Sequence, residues 1–354
     1  MKILLTSAGR RGYLVKYFKE VLGNEGEVHV ANNTDSTAML YGDMSVITPL
    51  IHDEGYIPFL KKYCQINHID VIIPLFDIDL PILSKCINEF KEIGVRVIVS
   101  NEAFIKICND KWATYNYLKK NGFYTPATFL NISDVLKAIN DGSVHFPLIV
   151  KPRWGMGSIS IFEADNKEEL KVLYEKTKKN INSSYLSFES NQNNKFPVII
   201  QEKLNGQEYG LDIINDLNGT YMTTVVKKKY AMRSGETDQA EIVINRDLEL
   251  IGKEIGSLTG HIGNLDIDAF SVDGVPYVLE MNARFGGGYP FSHHAGVNLP
   301  KAIFLWLKNE PVEQSVLEPE IGVIGYKDIQ VIGDGMGVAT IQKLKEAINH
   351  RNYV

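Results

Sequence analysis

Acidic and amide side chains alternate in the segment Glu280-Met281-Asn282-Ala283-Arg284, and they are of the types that hold a divalent cation. Two further carboxylates precede this segment, at Asp266 and Asp268. Carboxylate and amide oxygens are hard ligands that suit Mg²⁺, which proteins usually hold with one or two carboxylates together with substrate phosphates. Arg284 adds a cation beside a glycine run at 286–288. These residues predict a metal–phosphate site, and the competing interpretation is a solvated polar face of an antiparallel sheet.

The turn Val272-Asp273-Gly274 predicts that these carboxylates lie on the two strands of one hairpin, whose register decides whether they meet. A two-residue loop would place Asp266 opposite Met281 and scatter the acids over both faces. A three-residue loop with Gly274 in the left-handed conformation would place Asp266 opposite Glu280. We expect the second register, because it gathers the acids on one face and leaves an apolar face to bury.

Two lysines earlier in the chain have surroundings that suit phosphate binding. Lys151 ends a buried strand pattern and precedes a Gly-x-Gly-Ser loop at 155–158, whose backbone N–H groups could cover phosphates. Lys111 follows Asp110 at the start of a predicted helix, where a cation is unfavourable unless an anion lies nearby. A Gly-x-x-x-x-Gly-Lys-Ser/Thr motif is missing from the sequence, which disfavours a P-loop fold.

The first hundred residues alternate short apolar runs with helical patterns, which predicts a parallel sheet with right-handed crossovers. The predicted strands are Ile3–Thr6, Val28–Ala31, Val71–Pro74 and Val95–Val99, and the predicted helices include Tyr13–Leu22 and Tyr56–Asn67. The turn at Gly9–Gly12 has only Gly-x-x-Gly spacing. We therefore interpret it as a plain tight turn in preference to a ligand loop.

The remaining chain predicts a small α+β unit followed by antiparallel strands. The unit has a helix at Asp110–Asn121, strands at Pro147–Lys151 and Ile159–Phe162, a helix from Lys167, and a surface loop at Asn180–Lys195. Further predicted strands are Val198–Glu202, Glu208–Ile214, Thr220–Lys228, Asn264–Ser271 and Pro276–Asn282. Helices are expected at Arg246–Gly260 and Lys301–Lys308, and a strand and helix are expected after them. Asn218-Gly219 predicts a hairpin turn.

The composition, 44% hydrophobic and 23% charged, is typical of a soluble globular protein, and 354 residues exceed what one core usually holds. The net charge of −6 argues against a nucleic-acid partner. Three isolated cysteines argue against a disulfide framework or structural zinc and suit a reducing compartment. We expect a cytoplasmic protein without a membrane partner, because no apolar run approaches the ~20 residues that span a bilayer.

Together these motifs resemble the ATP-grasp superfamily, specifically its carbamoyl-phosphate-synthase large-subunit type with a single grasp unit. The resemblance covers nearly the whole chain in the family's order. Its motifs are Asp110-Lys111 with Pro126, Val150-Lys151-Pro152 with the glycine loop, Gln201–Leu204, Glu208 with Asp212, and Glu280–Arg284. The resemblance implies an ATP-grasp fold, α/β and α+β, with a parallel-sheet domain at 1–105, a lid subdomain at 106–195 and an antiparallel-sheet subdomain at 196–354.

The resemblance also implies how the nucleotide would bind. Lys111 and Lys151 would bind the ATP phosphates, and the loop that carries Gly155, Gly157 and Ser158 would close over them. Residues Glu202, Lys203 and Leu204 would meet the adenine, and Glu208 would bind the ribose hydroxyls.

For the metal, the family pattern implies Mg²⁺, with Mn²⁺ as an alternative, held by Asp266, Glu280 and Asn282. Asp268 is a less secure ligand. Arg284 would neutralise the transferring phosphoryl group and, with Lys151, would be catalytic. The family's usual proline after the metal-binding asparagine is Ala283 here, which should leave the metal site intact.

The activity that the resemblance implies is that of an ATP-dependent ligase. A small-molecule carboxylate would become an acyl phosphate and then join an amine, with release of ADP and phosphate. The synthase large subunit has two grasp units and this chain has room for one, so it cannot run the synthase reaction alone. A homodimer is a candidate assembly. Candidate substrate-selecting residues, from their position in the sequence, are Arg233, Glu236, Tyr289, His293 and His294.

Two other functions compete with this interpretation. One is an ATP-binding regulatory protein without catalysis, which would have no need of the full set of lysines, acids and Arg284. The other is a dinucleotide-dependent oxidoreductase that uses the N-terminal sheet. That function would need a glycine fingerprint at Gly9–Gly12 and an acid closing the second strand, where Asn32 and Asn33 stand instead.

Overall fold

Three β-sheets flanked by helices organise the part of the chain that the computed structural model describes, which is residues 1–155, 157, 159–184, 186–192 and 196–332. The first sheet is parallel, and the other two are antiparallel. The helix expected near the end of the chain falls in 333–354, outside the described residues. The expected combination of one parallel and further antiparallel sheets is therefore present.

The N-terminal sheet has five parallel strands in the order β3-β2-β1-β4-β5. Its strands are β1 (Lys2–Thr6), β2 (Glu27–Asn32), β3 (Met44–Ile47), β4 (Val71–Pro74) and β5 (Arg96–Val97). The helices that cover it are α1 (Gly12–Leu22), α2 (Tyr56–Asn67), α3 (Asp79–Lys85) and α4 (Ile87–Glu92). The loops after β1 and β4 leave the same edge of the sheet, since parallel strands align their carboxyl ends.

Two helices connect this sheet to a four-stranded antiparallel sheet of order β6-β9-β7-β8, which we call the lid. The connecting helices are α5 (Glu102–Asn109) and α6 (Lys111–Lys120). The lid contains β6 (Thr128–Phe129), α7 (Ile132–Asn140), β7 (Leu148–Pro152), β8 (Phe162–Ala164), α8 (Lys167–Asn182), α9 (Ser187–Gln192) and β9 (Val198–Glu202). The expected strand Ile159–Phe162 thus begins later, and helices α8 and α9 occupy much of the expected loop at Asn180–Lys195, of which 185 and 193–195 lie outside the described residues.

The third sheet has six antiparallel strands in the order β14-β13-β10-β11-β12-β15. They are β10 (Gln207–Asn215), β11 (Tyr221–Arg233), β12 (Glu236–Ile242), β13 (Gly263–Val272), β14 (Val275–Asn282) and β15 (Ile324–Tyr326). The helices are α10 (Arg246–Thr259), α11 (Tyr289–His294) and α12 (Leu299–Leu307). Because β9 pairs with β7, the lid sheet continues past the predicted boundary at 195 to the end of β9. The predicted three-part division itself stays a prediction.

The register of the β13–β14 hairpin differs from the one expected, and the expectation that Asp266 faces Glu280 was wrong. Val272 pairs with Val275, so the turn has two residues, and both Asp273 (φ +50°) and Gly274 (φ +82°) are left-handed. A β-bulge then shifts the pairing between Asp268 and Ala269. Asp268 therefore lies opposite Glu280, and Asp266 lies opposite Asn282. The bulge returns the acids to one face, which is why the face was predicted correctly although the pairs were not.

The parallel and six-stranded sheets share their hydrophobic core, whereas the lid has a core of its own. Phe18 of α1 and Phe285 after β14 meet edge to face, with ring centroids 6.1 Å apart, inside the shared core. The lid buries a separate cluster that includes Leu148, Val150 and Leu170. The shared core fixes one wall of any cleft between the sheets, and the lid can move against that wall without opening the shared core.

Candidate active site

A cleft of about 680 Å³ lies where the three sheets approach one another. Its walls come from the loops after β1 and β4, from β7 and the glycine loop of the lid, from the segment after β9, and from one face of the six-stranded sheet. Most of the residues expected to bind nucleotide or metal line this one cleft, namely Lys111, Lys151, Gly155, Gly157, Glu202, Lys203, Leu204, Glu208, Asp266, Glu280, Asn282 and Arg284. Ser158 lies outside the described residues.

The floor of the cleft is built from alternate residues of four neighbouring strands, as the two-residue period of a strand requires. These residues are Glu208 and Gly210 on β10, Lys227 and Lys229 on β11, Asp266 and Asp268 on β13, and Glu280 and Asn282 on β14. Gly210 pairs with Lys227, and an added Cβ would stand 3.2 Å from Cε of both lysines. Glycine at this position therefore leaves room for the two lysine stems.

Glu280 is the acid on which the two predicted phosphate-binding lysines converge. Its Oε1 lies 3.2 Å from Nζ of Lys151 and 3.7 Å from Nζ of Lys111. Burial alone would raise the pKa of Glu280, but the two ammonium groups outweigh it and lower this pKa to about 2. Glu280 is thus ionised at neutral pH, and it holds Lys111 of α6 and Lys151 of β7 on the same side of the cleft.

A salt bridge at the start of α6 positions both lysines. Asp110 caps this helix by accepting from the backbone N–H of Trp112, and the same carboxylate accepts from Nε and Nη2 of Arg153 at 2.7 and 2.6 Å. The backbone N–H of Lys111 donates to the carbonyl of Arg153. Because Arg153 follows directly on β7, this contact brings Lys111 beside Lys151, which lies on that strand.

The glycine loop of the lid contacts the first of these lysines directly. Lys111 Nζ donates to the carbonyl oxygen of Gly155 at 2.5 Å. Gly155 (φ +142°) and Gly157 (φ +64°) both have backbone angles that L side chains rarely adopt. The loop thus needs its glycines for its shape, and its contact with Lys111 closes one side of the cleft.

The other carboxylates of the floor are held by cations that the sequence analysis did not single out. Lys229 Nζ lies 2.7 Å from Glu208 and 2.5 Å from Asp268, and these two acids raise its pKa despite burial. Lys227 is a fully buried residue of the floor and is paired with Asp212. The run of three lysines at 227–229 carried a usable signal, because alternate residues of a strand share a face.

Arg284 is fixed by two carboxylates from different sheets. Its Nε donates to Asp77 at 2.8 Å, in the loop after β4, and its Nη1 lies 3.5 Å from Asp266. Burial and then the neighbouring Asp268 raise the pKa of Asp266 to about 6. The sequence did not single out Asp77 as a site residue. Its position just after a parallel strand could have indicated a ligand-binding role, because parallel sheets bind ligands at the carboxyl ends of their strands.

The acids and amide of the floor fit a divalent cation of the Mg²⁺ class. Asp266 and Asp268 repel each other enough to raise a pKa, and a cation between them would relieve that repulsion. Across the described residues, no group of three or more His, Cys, Asp and Glu side chains is already gathered as a metal cage. A set of few carboxylates plus an amide suits Mg²⁺, which takes further ligands from phosphates and water.

The segment after β9 forms the end of the cleft where adenine is expected. Glu202 is tied to the lid, since its Oε2 accepts from the backbone N–H of Ala127 at 3.1 Å. Lys203 Nζ lies 2.7 Å from Glu163 of β8. Apolar side chains of Ile149, Ile161 and Leu279 line the cleft together with this segment and could pack against an aromatic ring.

Of the five candidate substrate-selecting residues, the structure brings only Glu236 to the cleft. Arg233 forms an ion pair with Asp238 instead, in a partly exposed position. The Tyr289 hydroxyl is buried and donates to the carbonyl of Val297, and His293 stacks on Tyr17 at 3.6 Å between ring centroids. The two histidines lie on helix α11.

Residues 3–98 match the PylC-like N-terminal domain family, and residues 108–288 match the ATP-grasp domain family. The chain belongs to the ATP-grasp family. This membership confirms the resemblance of the motifs and the predicted fold, and at a general level it confirms the prediction of an ATP-dependent ligase. No helix in the described part of this ATP-grasp protein is long and apolar enough to cross a membrane.

Solved structures with the same fold come from several ATP-grasp enzymes. The biotin carboxylase domain of Hydrogenobacter thermophilus 2-oxoglutarate carboxylase has a TM-score of 0.70 and 16% identity, covering 88% of this chain and 70% of that one. The L-amino acid ligase of Bacillus licheniformis has a TM-score of 0.61 and 20% identity, with 90% and 77% covered. N5-carboxyaminoimidazole synthetase from Staphylococcus aureus has a TM-score of 0.65 and 16% identity, with 88% and 78% covered. Comparison with curated protein sequences gives no match.

Proposed function

We propose that this protein uses ATP to activate a carboxylate as an acyl phosphate and joins it to an amine, releasing ADP and phosphate. The observation that carries the proposal is the convergence of Lys111 and Lys151 on Glu280 in one cleft. Such a cluster can exchange its internal carboxylate contact for phosphate oxygens. Among the described residues that line the cleft, none is histidine or cysteine. The proposed reaction needs no side-chain nucleophile, because the substrate carboxylate itself attacks the γ-phosphorus.

In the proposed complex, adenine lies against Glu202–Leu204 and the ribose hydroxyls meet Glu208. The phosphates lie between Lys111, Lys151 and the glycine loop. Asp266, Glu280 and Asn282 would hold Mg²⁺, which when bound neutralises and aligns phosphate oxygens.

The chain then contributes position and charge to the reaction. A carboxylate oxygen of the substrate attacks the γ-phosphorus, and the bond to the β-phosphate oxygen breaks to release ADP. Arg284, held by Asp77 and Asp266, faces the transferring group and absorbs its charge. The amine then attacks the acyl carbon, loses a proton, and phosphate leaves. The lid keeps water from the acyl phosphate during these steps.

The comparisons support the nucleotide and the substrate class in outline. The Hydrogenobacter thermophilus structure holds MgADP, ADP and bicarbonate, and the Bacillus licheniformis protein is an L-amino acid ligase. By analogy, we propose that this protein also uses ATP with Mg²⁺ and activates a small carboxylic acid.

The first test is calorimetric titration with a non-hydrolysable ATP analogue, with and without Mg²⁺. We expect Mg²⁺-dependent binding in the parent protein and its loss in Lys151→Ala. If neither protein binds, the grasp site is misassigned, and the N-terminal sheet becomes the place to seek a ligand.

The second test is ADP release with mixtures of carboxylic acids and amines. We expect Glu280→Gln to abolish turnover and to keep the fold, because the change keeps the side chain's shape and removes only its charge. Glu254→Gln, on an exposed face of α10, is the matched control and should behave as the parent does. Turnover by Glu280→Gln close to that of the parent would refute the metal assignment. If the parent protein binds the ATP analogue but shows no turnover with any acid and amine, the alternative of an inactive regulatory protein is favoured.

A further inference from the structure

The cleft has a second charged end that the proposed nucleotide contacts do not use. Arg10 and Arg11 reach it from the loop between β1 and α1, and Glu236 reaches it from the first residue of β12. Arg284 contacts Asp77 of the β4 loop and Asp266 of the floor, and it lines the same cleft near enough to Arg11 to lower the pKa of that residue. The second end is therefore next to the place where the phosphoryl group would be transferred.

Arg11 is a cation in this wall whose charge is not balanced by an ion pair. Its guanidinium donates to the carbonyl oxygen of Leu75, and no carboxylate among the described residues lies within ion-pair distance of it. Burial and the nearby Arg284 guanidinium lower the pKa of Arg11 and outweigh the smaller opposite effects of Tyr13, Asp77 and Glu236. Arg284 already has Asp77 and Asp266 as counter-charges. An anion beside Arg11 would thus relieve the repulsion between two guanidinium groups.

Glu236 gives the same end of the cleft an anion. Its carboxylate lies 3.1 Å from Lys327 Nζ and 3.7 Å from Arg10 Nη2, and about half of its side chain is exposed. Ion pairs at this exposure contribute little, because water and salt screen them, so another cation can replace either partner at small cost. Gly287 lines the cleft beside it, and a Cβ there would come only within 3.7 Å of the Glu236 side chain.

A cation and an anion at one end of a cavity match the two charges of an amino acid. Resting on the function proposed above, we propose that Arg11 binds the carboxylate that is phosphorylated and that Glu236 binds the ammonium group of the same molecule. The acid substrate is then an amino acid. Arg11 holds the attacking oxygen beside Arg284, and the bonds made and broken are those already given for acyl phosphate formation.

The role of Arg11 is tested by steady-state ADP release, with the twenty L-amino acids supplied singly and hydroxylamine present to trap the acyl phosphate. For the best acid, Arg11→Gln should raise KM on the order of 10- to 100-fold, the usual effect of losing one charged hydrogen bond. KM for ATP should stay within about twofold, since the nucleotide contacts lie elsewhere. Arg11→Lys should recover part of the loss, because it restores the charge without the planar fork.

Arg246→Gln, at the exposed start of α10, is the matched control and should leave both constants unchanged. Thermal unfolding of each variant shows whether the fold is kept. An unchanged KM for the acid in Arg11→Gln overturns the assignment, and so does weaker binding of the non-hydrolysable ATP analogue, which would place Arg11 in the nucleotide site.

The substrate class is tested by comparing each amino acid with its des-amino acid, for example alanine with propionate. Amino acids should form hydroxamate at least 10-fold more efficiently, and Glu236→Gln should narrow that ratio. Equal use of propionate and alanine overturns the amino-acid class. If the parent protein binds the ATP analogue but releases no ADP with any carboxylic acid, the proposed ligase function fails, and this inference fails with it. Activity in the parent with no response to Arg11→Gln defeats the inference alone.

Discussion

The buried ion pair between Lys227 and Asp212 is part of the floor of the cleft and allows a sharp test of how this site is held together. Both side chains are almost wholly inaccessible, and Asp212 also accepts from Ser292 Oγ at 2.5 Å and from Asn264 Nδ2 at 3.0 Å. Asp212→Asn keeps the shape of the side chain and removes its charge. The perturbation therefore leaves the Lys227 ammonium buried without a counter-charge.

The expected cost follows from this burial. Removing one partner of a buried ion pair typically destabilises a protein by about 3–5 kcal/mol, because the remaining charge stays desolvated. The double variant Asp212→Asn/Lys227→Met should recover much of that loss, since replacing both charges removes the unpaired ion. The exposed pair of Arg233 and Asp238 gives the comparison: Asp238→Asn should cost less than about 1 kcal/mol.

Urea unfolding followed by far-UV circular dichroism measures these changes, and tryptophan fluorescence checks whether the transition has one step. Asp212→Asn should unfold at a clearly lower urea concentration than Asp238→Asn. If Asp212→Asn and Asp238→Asn lower the urea midpoint equally, or if the double variant is no more stable than Asp212→Asn, the unpaired Lys227 side chain must reach solvent in the folded protein. The reasoning from its burial would then be refuted.

Two other changes have outcomes that the structure specifies. Gly286→Ala would place a Cβ 2.1 Å from Cγ of Asp266, so we expect the rate of ADP release to fall at least about 100-fold. Gly287→Ala is the control, because its Cβ would meet only ordinary contacts, and its rate should stay near that of the parent. His261 is buried and its pKa is lowered to about 4, so unfolding takes up a proton at this residue below pH 6.5. In urea titrations, the free energy of unfolding of the parent minus that of His261→Gln should therefore fall by roughly 3 kcal/mol between pH 6.5 and 4, a difference in which the opposite contribution of Asp266 cancels.

The fold was predictable where a local pattern is enough to specify structure. The apolar run Val71–Pro74 and the helix Tyr56–Asn67 lie where the sequence predicted them, because burial and periodicity act within a few residues. The pairing of β13 with β14 was not predictable in the same way. Its bulge near Leu279 depends on the neighbouring strand and on the twist of the whole sheet, which no local pattern encodes.

The candidate site shows the same limit. Lys111, Lys151 and the acids of β13 and β14 could be identified because their motifs are local and resemble a known family. Asp77 and Arg11 were not identified: their positions after parallel strands mark an edge where ligands bind, but no local motif links these loops of a different sheet to the acids and lysines of the cleft. Only the tertiary arrangement of the two sheets brings Asp77 within 2.8 Å of Arg284, more than two hundred residues later in the sequence.

The charges of the cleft explain why metal and nucleotide binding should depend on each other. Glu280 holds Lys111 and Lys151, so phosphates can take these lysines only by displacing a carboxylate. A displaced Glu280 is an unpaired buried anion, which costs free energy unless a cation replaces the lysines. Phosphate and divalent cation therefore each remove the penalty that the other creates, and thermodynamic linkage makes this coupling reciprocal. An isolated cation or a metal-free nucleotide should bind weakly to this site because each must break the same ion pairs without that compensation.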